Sequence, residues 1–129
     1  MRFDGFSFGN ITPSDLDSFV EFRDEAWVWM EAKTGDKPVP YGQRLAFERF
    51  VKDMRKANKH SIAMIVEHNT SPSEDPLLAE CVVREFYSTE TMKWRKPRER
   101  LTAFEAANRY LTWAEEQIKH WKEEGQNAD

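Results

Sequence analysis

Four side chains near the start of the chain, Asp15, Asp17, Glu31 and Lys33, have the types and the spacing to do chemistry. In an extended strand, residues two apart project from one face. Asp15 and Asp17 therefore point the same way from one segment, and Glu31 and Lys33 from another. Arg23-Asp24-Glu25 between them reads as a tight polar turn. An antiparallel hairpin about residue 24 pairs position i with 48 − i, which sets Asp17 opposite Glu31 and Asp15 opposite Lys33. Carboxylates brought that close repel and resist ionisation. A hard divalent cation relieves the conflict, and Mg²⁺ characteristically takes one or two protein carboxylates plus water and phosphate oxygens. A cross-strand Asp–Lys or Glu–Lys pair at a sheet edge relieves it equally well, and spacing alone leaves both readings open.

Positioning these groups requires a sheet. Leu16–Phe22 and Ala26–Lys33 read as the two hairpin strands, with Thr34–Pro38 as a loop. Phe47, Phe50, Val51 and Met54 form one apolar stripe, predicting a helix from Tyr41 or Gly42 to about Ala57. Ser61–His68 reads as a buried strand, 69–76 as a loop and Glu80–Tyr87 as a further strand. Phe104, Ala107, Leu111, Ala114, Ile118 and Trp121 step by three and four, predicting a long helix from about Leu101 to Glu124 that Gly125 ends. Strand, strand, helix, strand, strand, helix is an α/β (α+β) order: a small mixed sheet flanked by helices. The whole chain reads as one domain. Trp27 and Trp29 read as core in preference to a base-stacking surface, and His60 and His120 as surface residues in charged helical surroundings. His68 closes its strand beside Glu67, where it would reach the same acids or serve structure.

Thr12-Pro13-Ser14-Asp15-Leu16-Asp17, then Glu31-Ala32-Lys33, then Gly42-Gln43 at a helix start, resembles the core of the PD-(D/E)XK, or restriction-endonuclease-like, nuclease superfamily, small phage-type members especially. The likeness covers about residues 8–87. It implies a restriction-endonuclease-like core and metal-assisted hydrolysis of DNA phosphodiesters. It assigns Asp17 as the first-strand metal ligand, with Asp15 competing for the role. Glu31 becomes the second ligand, and Ala32 supplies a backbone carbonyl. Lys33 would orient or activate water and offset charge on the phosphate, and Gln43 would steady the site or touch substrate. The implied cofactor is Mg²⁺, with Mn²⁺ as a substitute. The residues before Asp15 do not read as the acid-bearing helix that many members place there. Lacking an evident recognition domain, such a chain points to structure-selective or nonspecific cutting, branched DNA or Holliday junctions included. Paired symmetric cuts would call for a homodimer.

Charge and composition narrow the partners. The formal charge of the 129 residues is −4, unevenly spread. Residues 93–100 carry +4 and residues 52–59 carry +3; −4 less these +7 leaves −11 on the remainder. Lys52, Arg55, Lys56, Lys93, Arg95, Lys96 and Arg98 are therefore the expected nucleic-acid contacts, because a polyanion responds to local patches and not to net charge. The acidic remainder also suits a rival: a non-cleaving phage-type protein on the same fold that docks on a host nucleic-acid or defence protein. Aromatic content of 13% excludes a disordered chain. Cys81 is the only cysteine, which excludes an intrachain disulfide and a cysteine-based zinc site. Apolar runs too short for a bilayer and no apolar leader lead to the expectation of a cytoplasmic protein of a bacterial or phage-infected cell, with no membrane partner. There is no Gly-rich phosphate loop and no Ser/His/Asp motif.

Overall fold

The computed structural model describes residues 18–35, 37–69 and 77–127, with side chains of the last helix described through Lys119. Strands β1 (Ser18–Phe22) and β2 (Ala26–Thr34) form the hairpin. Arg23 and Asp24 both take left-handed φ values (53° and 59°) and the Glu25 N–H donates to the Phe22 carbonyl at 3.0 Å. A turn of this primed kind matches the twist of the strands it joins. The pairing runs from Ser18↔Met30 to Phe22↔Ala26, so the predicted sum of 48 holds at every described pair. Asp15 and Asp17 lie outside the described residues.

Helix α1 (Tyr41–Lys56) carries the chain from the end of β2 back to the start of β3 (His60–His68). It begins on the Pro40 carbonyl, which accepts from the Gln43 and Arg44 N–H groups. It ends where Asn58 turns left-handed (φ 60°) and the Lys59 N–H reaches back to the Met54 carbonyl at 2.9 Å, an asparagine version of the glycine C-terminal stop. β2 and β3 are consequently parallel, from Ala26↔His60 to Thr34↔His68. β4 (Val82–Ser88) returns antiparallel to β3, with a bulge between Ile65 and Val66. A two-residue β5 (Trp94–Arg95) closes the sheet order β1-β2-β3-β4-β5. The architecture is the expected small mixed α+β fold.

Period-two alternation sorts the core onto two faces. Val28, Met30, Ile62, Met64, Val66 and Val83 pack on helix α2 (Ala103–Asn127). Trp29, Ala63, Ile65 and Tyr87 pack on Phe47 and Val51 of α1. Covered on both sides, β3 is buried continuously from Ser61 to Val66, which is why it reads as an apolar run without alternation. Ser61, the polar member, accepts the Trp29 indole N–H at 2.8 Å.

Three expectations need correcting. α2 is capped by Thr102 and Glu105, whose side chains each bond the other's backbone N–H at 3.1 and 3.2 Å, a capping box. This starts the helix at Ala103 and turns Phe104 outward, 64% exposed, while Ala103, Ala114 and Ile118 are buried. The helix also runs through Gly125 to Asn127; glycine permits a left-handed stop without compelling one. Finally, the basic run 93–100 is not all loop, because β5 lies inside it, and a short 3₁₀ turn (Leu78–Glu80) precedes β4.

Candidate active site

Trp27, Trp29, Glu31 and Lys33 share the α1 face of β2, and at its C-terminal end the apolar row gives way to charge. Glu31 is only 5% exposed, and the Lys33 ammonium stands 3.3 Å from its Oε1. Lys33 pairs in register with Glu67 on β3, and Glu31 with Ile65, which in turn pairs with Glu85 on β4. Three carboxylates therefore border this end of the face. Glu31 and Glu85 sit on either side of the fully buried Ile65, two strand spacings or roughly 10 Å apart.

Cations from elsewhere answer the other two acids. Arg44 in the first turn of α1 forms an ion pair with Glu85, and its guanidinium lies 4.8 Å from the centre of the Trp94 ring. Arg84 makes a three-way clamp. Its Nε donates to Glu67 Oε2 at 3.0 Å, and its two terminal nitrogens to the carbonyls of Lys37 and Gly35 at 2.6 and 2.7 Å. Gly35, at φ 55°, also gives its N–H to the His68 carbonyl at 2.7 Å. The connector leaving β2 is thus tied to the ends of β3 and β4. Gln43 lies one turn into α1, with Oε1 buried and no hydrogen-bond partner among the described residues.

The expected site residues divide accordingly. Glu31 and Lys33 come together at a buried strand end, and Gln43 and Arg44 open the helix that follows. The Ala32 side chain points the opposite way, into the α2-face core, so the main-chain carbonyl is what it has to offer a cation. Asp15 and Asp17, the expected first-strand ligands, fall outside the described residues; within them, no cluster of three or more His, Cys, Asp or Glu could hold a metal. Lys52, Arg55 and Lys56 are exposed on the last turns of α1. At 1.5 Å per residue that is about 14–20 Å from Gln43 along the helix, toward the hairpin-turn end of the sheet. Lys93 is exposed just before β5, Arg95 on it, and Lys96 and Arg98 on the loop after it, while Trp94 turns inward against Tyr87, 5.5 Å between ring centres. The two basic runs do not converge beside Glu31.

Arg84, Glu85 and Arg44 are what residue spacing missed. The available signal was the Arg84-Glu85 pair interrupting an otherwise apolar strand, an expensive interruption unless each charge is answered. His60 is a further correction. It opens β3, half-buried, with Nδ1 3.1 Å from Glu90 and its ring edge-on to Trp113. Glu90 also accepts the Tyr110 hydroxyl at 2.7 Å, and burial, then the Glu90 charge, push the Tyr110 pKa far above its ordinary value. His120 falls among the side chains left undescribed.

No protein-family model, curated protein or solved structure matches this chain.

Proposed function

We propose that this chain is a divalent-metal-dependent nuclease of the PD-(D/E)XK type acting on DNA. The observation that carries the reading is the buried Glu31 carboxylate with the Lys33 ammonium 3.3 Å away at a strand end, in the E-x-K order. The donors suit a hard cation: the Glu31 carboxylate and the Ala32 carbonyl are oxygens, and Gln43 Oε1 is a buried oxygen with no protein partner among the described residues. Glu31 and Ala32 would hold Mg²⁺ or Mn²⁺ together with Asp17 or Asp15. The ion would supply polarisation of the phosphate and a lowered pKa for bound water. Lys33 has the complementary task. Held beside Glu31, its ammonium can hold the attacking water by hydrogen bonds and offset negative charge building on the phosphate. Glu31 in turn keeps Lys33 aimed, and the Arg84 clamp fixes the segment just beyond both.

Purified protein incubated with supercoiled, linear and branched DNA tests this, with Mg²⁺, Mn²⁺ or EDTA. Cleavage should need the metal and vanish in Lys33→Ala. Metal-independent cleavage, or cleavage unchanged in that variant, rejects the reading. No cleavage together with stoichiometric capture of one host protein supports instead a non-cleaving docking protein. For the enzyme, a branched substrate cut symmetrically would further require the dimer.

A further inference from the structure

Directly below Glu31 on the same face of β2 lies a row of aromatic rings. Trp29 is two residues away, about 6.6 Å along the strand. Its ring stacks on Phe50 of α1 (5.1 Å between centres, 17° between planes) and on Trp27 (5.4 Å, 6°). Phe19, its cross-strand partner on β1, tilts against both indoles at 5.6 and 6.2 Å. Trp29 itself is buried core, and its N–H is anchored on Ser61. The two phenylalanines flanking it are not: Phe19 is 57% exposed and Phe50 47%. Two large exposed rings, both packed on Trp29 and on the strand that carries the acid–lysine pair, call for an occupant.

The charges around them say which. Beyond Phe50, the exposed residues of α1 are Lys52, Asp53, Arg55 and Lys56, with Arg49 just before it: four cations and one acid. On the β1 side, Glu21 is occupied by the Asp24 N–H, and Asp24 by Lys59. We infer that Phe19 and Phe50 form a base-stacking platform for an unpaired DNA strand, running from the Glu31–Lys33 end of β2 down toward the basic last turns of α1. The inference rests on the nuclease reading for where the scissile phosphate lies, and it names the substrate class as single-stranded or locally unpaired DNA. It also gives Lys52, Arg55 and Lys56 a role at their actual distance from Glu31: they meet the phosphates several nucleotides from the cut. Rings set in a stack anchored at Trp29 lose little freedom when a base lands on them, and every base has a face to offer.

The test separates bases from phosphates. Wild type, Phe19→Ala, Phe50→Ala and Phe19→Trp are titrated with an oligothymidylate, an abasic oligonucleotide of equal length and a blunt duplex, using Ca²⁺ in place of Mg²⁺ and reading tryptophan emission and anisotropy. Oligothymidylate should bind best and quench Trp emission. Each alanine variant should weaken it by about 5- to 150-fold while leaving abasic binding unchanged, and Phe19→Trp should restore it. Equal affinity for thymidylate and abasic strands, or thymidylate binding unaltered by Phe19→Ala, overturns the platform. So does a concentration-dependent dimer that Phe19→Ala abolishes, which would assign the patch to a second copy of the chain. Base-dependent binding without cleavage removes the nuclease reading alone; metal-dependent cleavage with no base dependence removes the platform alone.

Discussion

The two faces of the sheet are built from the same strands and end differently. On the α2 side, Val28, Met30, Met64, Val66 and Val83 make an apolar layer. Where the helix lifts from it, a cavity of about 260 Å³ remains between Ile62, Phe86, Tyr110 and Trp113. On the α1 side the layer is aromatic, and at the C-terminal end of β2 and β3 it becomes ionic: Glu31 with Lys33, Glu67 with Arg84, Glu85 with Arg44. Volume lost from apolar packing costs stability without misplacing a charged group, whereas partly buried charges demand partners from fixed positions. One face can therefore lose volume and keep its function, and the other cannot lose a single partner.

The sharpest way to break that contrast is on the ionic side. Lys33→Ala or Glu31→Gln should lower metal-dependent DNA cleavage by about 10²-fold or more, with circular dichroism confirming the fold. On the apolar side, Met64→Ala should cost about 3 kcal/mol in urea denaturation, Met64 being fully buried, while cleavage per folded molecule stays near wild type. If Met64→Ala abolished activity in the folded fraction, the two faces would not be separable.

Arg84→Met probes the connection between the faces' ends. Removing three donated bonds should cost about 1–3 kcal/mol, and hydrogen exchange should quicken at the Gly35 and Lys37 amides before it does in β3. Unchanged protection there would mean that the clamp holds nothing. Thr102→Ala should cost about 1 kcal/mol by removing the α2 cap. Its pH dependence has a definite sign. Hydrogen bonds from Thr102 hold the Glu105 carboxyl below its usual range, so the stabilisation is present above the unfolded pKa of about 4.3 and fades as pH falls through the lower folded one. The Thr102 N–H bond, the larger cause, survives in Thr102→Ala, so the variant should shrink that acid limb in a melting-temperature series without abolishing it. Smallest of all, Arg109→Ala removes an ion pair with Glu99 between side chains each more than half exposed, and thermal melts should barely move.

What the sequence made legible follows sequence distance. The hairpin register and the Glu31–Lys33 pairing are set by a three-residue turn and by alternation, and both can be read locally. α1 and β3 were readable from periodicity. The partners that complete the ionic end were not: Arg84 reaches Lys37 and Gly35 across nearly fifty positions, and a bulge at Ile65/Val66 shifts which β4 residues face which β3 residues. His60 was misplaced because the partners that half-bury it, Glu90 and Trp113, come from distant parts of the chain. Phe104 was misplaced because the cap at Thr102 outweighs the hydrophobicity of one ring.

β2 meets its two neighbours by very different routes. β1 joins it through a three-residue turn, while every β2–β3 pair bridges 34 positions of chain, from Ala26↔His60 to Thr34↔His68. Closing the first loop costs less chain entropy than closing the second. Met30 is the described β2 residue farthest from the turn in the β1 pairing, so the ionic end is the part of the hairpin that the turn itself holds least. Arg84, on β4, latches it by binding the Gly35 and Lys37 carbonyls. The segment just past Lys33 is thus secured by a strand that lies 47 and 49 positions further along the chain.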